Sequence, residues 1–131
     1  NNQTFSDKII FEQKLSKKTY LWKNVYFTPM YIPNLVFFIN LLINNQSSGI
    51  FNVSSDLKIS KYAFGMKLIK KIIKNKNVYS NNFDKKKFTK RPNNMALSNL
   101  KLKKKFFKYK NKLKLQYQIN SFVKDYKLLN G

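Results

Sequence analysis

Lysines interleaved with aromatic rings are the residues of this chain best suited to chemistry, and that chemistry is the capture of phosphate. Lys101, Lys103, Lys104, Lys105, Lys108, Lys110, Lys112 and Lys114 stand close together, with Phe106, Phe107 and Tyr109 among them. Two further basic runs precede them: Lys67, Lys70, Lys71 and Lys74, then Lys85, Lys86, Lys87, Lys90 and Arg91. Ammonium groups gain from counter-ion release when they meet phosphates, and exposed aromatic faces can stack on unpaired bases. One lysine run is usually a solvated surface. Three runs with almost no compensating acid point to a bound polyanion, so all of these residues are candidate RNA contacts. Phe106 and Tyr109 are better read as packing residues than as base platforms, because large apolar groups tend to be buried.

Catalytic groups are scarce. The chain has no His and no Cys, which removes Ser-His and Cys-His pairs, thiol chemistry and zinc knuckles. Its five acids, Asp7, Glu12, Asp56, Asp84 and Asp125, are isolated along the sequence, with no local pairing for acid-base or metal work. Gly49, Gly65 and Gly131 are its only glycines, too few and too far apart for a phosphate-cradling loop. The expectation is a protein that is not an enzyme, with no cofactor, no metal and no small-molecule substrate.

The elements that position the lysines follow from hydrophobic patterning. Ser6 and Asp7 offer caps for a short N-terminal helix around Ile9, Ile10 and Phe11. Residues 19–27, rich in aromatic and β-branched side chains and ending before Pro29, predict a strand. Residues 35–43 form the most apolar run. Its nine residues are about half of the roughly 20 that a membrane-crossing helix needs, so a buried core element is expected. A polar turn over 44–49 leads to a brief strand at 50–53 and then to a helix over 56–75. Ser54 or Ser55 would cap that helix, with Asp56 in its first turn. Tyr62, Met66, Ile69 and Ile73 define its apolar face, and Lys67, Lys70, Lys71 and Lys74 project from the other side. A basic loop over 75–94 precedes a helix over 95–110. Leu113, Leu115, Tyr117 and Ile119 then alternate with polar residues at strand period.

At 131 residues the chain suits one small α+β domain with amphipathic lysine-rich helices and extended basic segments. Its divisions are an N-terminal extension over 1–18, a small core over 19–78, and a basic linker with a helix-strand tail over 79–131. A net charge of +22, from 27 basic residues, makes a free globule repel itself, so a polyanion is the natural partner. The 43% hydrophobic content separates it from a disordered basic tail. Lys, Asn, Ile, Phe and Tyr dominate while Arg91 is the lone arginine, which is the palette of a very AT-rich genome such as that of a mitochondrion or plastid.

Asn52-Val53-Ser54-Ser55-Asp56-Leu57-Lys58-Ile59-Ser60-Lys61-Tyr62 resembles the start of the N-terminal helix of universal small-subunit ribosomal protein three, and Phe27-Thr28-Pro29 resembles that family's early turn. Ser60 stands where that family usually has Arg, and its Gly-x-x-Gly loop has no counterpart here. Ile32-Pro33-Asn34-Leu35-Val36 with Gly65-Met66-Lys67-Leu68 is similar to universal protein nineteen. Leu42-Ile43-Asn44-Asn45-Gln46 with Ser54-Ser55-Asp56-Leu57-Lys58 is similar to universal protein eight. These resemblances imply a structural constituent of the small subunit of a mitochondrial ribosome, with ribosomal RNA and neighbouring ribosomal proteins as partners. The rival expectation, drawn from residues 35–43, is an accessory subunit of an organellar inner-membrane complex.

Overall fold

The computed structural model describes residues 3–73, 77–84 and 92–130. The fold is α+β, as the sequence indicates. The chain packs as two compact units, one from Asn1–Phe27 with Ile59–Met95 and the other from Thr28–Lys58 with Ala96–Gly131.

The first unit opens with α1 (Phe5–Lys14). Thr4 caps it, and Asp7 returns the bond to the Thr4 backbone in a capping box. Asp7 is thus the third residue of the helix rather than its cap. Two strands follow, β1 (Thr19–Trp22) and β2 (Tyr26–Phe27), so the extended segment predicted over 19–27 exists but is broken between Trp22 and Tyr26. After the excursion through the other unit the chain returns as β3 (Ile59–Ser60), α3 (Lys61–Ile72), β4 (Val78–Asn81) and β5 (Asn94–Met95). β1 and β4 pair in parallel, with Thr19 opposite Val78 and Trp22 opposite Asn81. β2 pairs antiparallel with β3 and parallel with β5.

α3 begins at Lys61 and not at Asp56. Ser60 is its cap, its side chain accepting the Ala63 N–H at 3.1 Å. The buried face is Phe64, Gly65, Leu68 and Ile69, turned from the expected stripe; Tyr62 and Met66 are half-buried. Gly65 lets α3 pack closely on β1, since a Cβ there would collide with the Leu21 side chain. Gln13, buried at the end of α1, ties the unit together. Its amide nitrogen donates to Thr19 Oγ1 at 2.9 Å and its oxygen accepts the Asn77 N–H at 2.8 Å.

The second unit is helical among its described residues: α2 (Ile32–Asn44), α4 (Leu100–Lys105), a 3-10 helix (Phe107–Leu113) and α5 (Leu115–Asn130). Pro33 sits in the first turn of α2, where its missing N–H costs nothing. Phe38, Leu102, Phe106 and Leu113 form the core of this unit, with Phe51, Val53 and Tyr109 packed against it. Phe106 and Tyr109 are therefore packing residues, as read from the sequence. Two strand expectations fail. Residues 50–53 form no strand; the Ile50 carbonyl accepts from Lys101 Nζ at 3.0 Å, and the Asn52 side chain donates to the Ser98 carbonyl at 3.0 Å. Residues 113–119 lie in the last turn of the 3-10 helix and the start of α5.

Asp56 explains both the late start of α3 and the helical start of α5. Its backbone N–H donates to the Leu113 carbonyl at 2.9 Å, and its carboxylate accepts the Leu115 N–H at 3.0 Å. The carboxylate thus satisfies the first amide of α5 from 59 residues away and lies at that helix's positive end.

Candidate functional site

The predicted basic residues fall into three groups. Lys67, Lys70 and Lys71 project into solvent from α3, on the side away from Leu68 and Ile69. Lys74, Lys85, Lys86, Lys87, Lys90 and Arg91 lie outside the described residues. Lys101, Lys103, Lys104, Lys105, Lys108, Lys110, Lys112 and Lys114 are brought together by the short α4 and the 3-10 helix of the second unit.

Several of these ammonium groups are fixed by aromatic faces. Lys101 Nζ lies 4.2 Å from the Phe51 ring centroid and donates to the Ile50 carbonyl at 3.0 Å. Lys110 Nζ stands 3.8 Å over Phe107. Lys112 stands between two rings: its Nζ donates to the Tyr117 hydroxyl at 2.9 Å and lies 4.9 Å from the Phe37 ring and 5.1 Å from the Tyr117 ring. An ammonium has three donors, and Tyr117 takes one of them. Among the described residues no carboxylate pairs with Lys112. Ring faces stabilise a cation without neutralising it, so the group keeps its charge for an anion.

The buried polar side chains beside this segment are occupied by structure. Gln118 Oε1 accepts from the Tyr31 N–H at 3.0 Å and from Asn34 Nδ2 at 2.9 Å, and its amide donates to the Lys112 carbonyl. That last bond ties the backbone of Lys112 to α5. The sequence carried no signal for this role, because a glutamine that alternates with apolar residues reads as the solvent side of a strand.

Tyr31 donates its hydroxyl to Asp125 at 2.9 Å. Burial, then the bond to Asp125 and its charge, push the phenol above its ordinary value. A raised folded pKa means that the contribution of this group is intact below the unfolded value of about 10 and is lost as pH rises through the folded one. Tyr31→Phe should therefore cost about 1 kcal/mol at pH 7. The gap between the two melting temperatures should begin to narrow above about pH 10, where the unfolded tyrosine ionises, and should close as pH passes the raised native value. A gap that stays constant from pH 7 to pH 11 would rule this out.

Among the described residues no group of His, Cys, Asp or Glu could hold a metal ion, and no helix is long and apolar enough to cross a membrane.

Neither the family models nor the curated protein sequences contain a match to this chain. Solved structures do match. A hypothetical dTDP-4-dehydrorhamnose reductase from Sulfolobus tokodaii superposes with a TM-score of 0.69 at 22% identity, over 79% of this chain and 37% of its own. The dTDP-4-dehydrorhamnose reductase of Bacillus anthracis, solved in complex with NADP, gives 0.67 at 21% identity, over 81% and 37%. That of Yersinia enterocolitica gives 0.64 at 17%, over 75% and 35%. The fold is shared with part of these reductases. The chain spans little more than a third of their length.

These matches overturn the ribosomal expectation. The resemblances to universal proteins three, nineteen and eight rested on short runs of cap, lysine and aromatic residues, which many helix starts share. The segment from Asn52 to Tyr62 does not start a helix at Asp56 in this fold. Ribosomal RNA and ribosomal proteins as partners fall with that expectation, and so does the inner-membrane accessory subunit. The expectations of a non-enzyme and of no small-molecule substrate are contradicted as well, since the three solved structures that share this fold bear the name dTDP-4-dehydrorhamnose reductase. Charge misled here, since an AT-rich coding bias raises lysine whatever the partner.

The residues present do not fit a dinucleotide. Its pyrophosphate is ordinarily cradled by a glycine-rich turn between a strand and a helix N-terminus. Gly65 is buried within α3 against Leu21, and Gly49 stands alone at a positive φ of 86° after α2.

Proposed function

We propose that this chain forms the part of a nucleotide-sugar reductase that holds the sugar nucleotide, while the dinucleotide is held by polypeptide beyond the portion of the fold seen here. The observation that carries this reading is the superposition of about four-fifths of the chain on three dTDP-4-dehydrorhamnose reductases. The lack of a glycine-rich turn favours the sugar-nucleotide side. Lysine chemistry supports it further. The diphosphate of a thymidine-diphosphate sugar is a compact polyanion, and the basic segment from Lys101 to Lys114 supplies a positive field that raises its local concentration. Lys112, caged by Phe37 and Tyr117 with donors to spare, is the ammonium best placed to hold one phosphate oxygen.

Titration calorimetry tests the reading. Thymidine diphosphate should bind the purified chain at one saturable site that survives 0.3 M salt, whereas inorganic pyrophosphate should lose its binding there by screening. Lys112→Gln should weaken the nucleotide about tenfold, the loss of one charge-assisted hydrogen bond. Equal affinity for thymidine diphosphate and pyrophosphate, both abolished by salt, would show a nonspecific polycation and refute it.

A further inference from the structure

Tyr20 and Tyr79 form a pair whose chemistry the candidate site does not use. They stand opposite each other in the parallel register of β1 and β4, so both side chains rise from the same face of the sheet. Tyr20 is 59% exposed and Tyr79 43%. Their planes are inclined at 31° and their ring centroids are 5.6 Å apart, within the contact range of about 4.5–7 Å for aromatic pairs. Among the described residues neither hydroxyl has a hydrogen-bond partner. The pairing itself is ordinary cross-strand packing. Its consequence is chemical: two phenols, both open to solvent, are held edge to edge before anything oxidises them.

Other tyrosines are less suited to the same reaction. The Tyr31 hydroxyl donates to Asp125, the Tyr117 hydroxyl accepts from Lys112, and the Tyr126 hydroxyl is buried. Tyr26 is 38% exposed, but the residues opposite it in the register of β2 are Ser60 and Asn94, which carry no ring.

From this geometry we propose that Tyr20 and Tyr79 are a site of oxidative modification, at which hydrogen peroxide acting through a haem peroxidase joins the two rings into an intrachain dityrosine. Each phenol gives up one electron and one proton and becomes a phenoxyl radical. The two radicals couple through carbons ortho to their oxygens, and the hydrogens displaced from those carbons pass to the oxygens and restore both phenols. In sum, two tyrosines and one hydrogen peroxide give one carbon-carbon bond and two waters. The approach needs only rotamer motion of exposed side chains, on the order of picoseconds to nanoseconds. The bond closes a loop of about 60 residues and clamps β1 to β4. It stands apart from the sugar-nucleotide reading, because both tyrosines lie in the first unit and the segment from Lys101 to Lys114 in the second.

The test treats the purified full chain with hydrogen peroxide and a haem peroxidase. A monomer lighter by two hydrogens should form, and trypsin should release from it the segment 19–23 joined to the segment 77–85. Its yield per chain should not change on tenfold dilution, since the reaction lies within one molecule. The separated product should melt roughly 10 °C above the untreated chain, because its unfolded state is restricted. Tyr20→Phe and Tyr79→Phe should each reduce the light monomer at least tenfold. Neither should move the melting temperature of untreated protein by more than about 3 °C, since phenylalanine keeps the ring contact. Tyr26→Phe should leave the yield unchanged. Cross-linked dimers without the light monomer overturn the proposal, as does a gain of oxygen without loss of hydrogen. An intrachain link that persists in Tyr20→Phe places the reaction elsewhere and overturns it too. An unchanged melting temperature in the coupled product refutes the clamp.

Discussion

Phe38→Ala should lower the melting temperature by roughly 12 to 20 °C. Phe38 has no exposed surface and sits among Leu102, Phe106 and Leu113, with the Phe37 ring edge-on at 5.3 Å. Removing a buried phenyl ring costs about 3–5 kcal/mol, because lost transfer energy adds to an incompletely collapsed cavity. In a domain of this size each kcal/mol moves the midpoint by about 4 °C. The loss is large against a total stability of about 5–15 kcal/mol. The neighbours limit relaxation, since Leu102 and Leu113 come from α4 and the 3-10 helix and cannot close the gap without moving those elements. Phe38→Leu should recover about half of the loss by refilling part of the volume. A fall of less than 5 °C for the alanine variant would place the core of this unit elsewhere.

Gln118→Leu should destabilise the protein by about 4 kcal/mol, the middle of a range of about 1–7 kcal/mol, although leucine fills nearly the same space. The reason is polar and not volumetric. Gln118 is buried, and its loss strands the Tyr31 N–H, the Asn34 amide and the Lys112 carbonyl together. Each orphaned group costs about 1–3 kcal/mol, offset by about 2 kcal/mol from the added apolar burial. A double-mutant cycle isolates the contact. Asn34→Leu combined with Gln118→Leu should cost clearly less than the two single losses added, because the second change removes a group the first had left unsatisfied. Strict additivity in chemical denaturation would show that Asn34 and Gln118 do not share the bond. The same variant reports on the candidate site, since the Gln118 amide holds the backbone at Lys112. Thymidine diphosphate binding should weaken in Gln118→Leu even under conditions where the protein is fully folded.

A helix within 56–75 and its outward Lys67, Lys70 and Lys71 were legible in the sequence, since they depend on a period that neighbouring residues impose on one another, although the helix starts at Lys61. The apolar segment over 35–43 became part of α2, but of its residues Phe38 is buried while Val36, Ile39 and Ile43 are exposed. The packing role of Phe106 and Tyr109 was legible too. The stretch from Leu113 to Ile119 was not. Leu115 and Ile119 are four residues apart, a separation that satisfies a strand period of two and a helix turn equally, and the buried Gln118 and Val123 that decide for the helix do not look apolar or lie beyond the window.

Asp56 marks the same boundary from another side. As a local signal it belongs in the first turn of a helix over 56–75, whereas its carboxylate caps α5 across 59 residues of chain. No pattern along the sequence encodes which distant amide an acid will meet. The likeness to these solved structures was hidden for a related reason: lysine content reports genome bias as readily as an RNA partner, and short cap-and-lysine motifs recur in unrelated folds. Residue types alone determined that this is an α+β chain with a heavily positive surface and no His or Cys chemistry, because those properties are sums over side chains. The tertiary structure alone decided the parallel pairing of β1 with β4, the caging of Lys112 and the likeness to nucleotide-sugar reductases, because each depends on residues that only folding brings together.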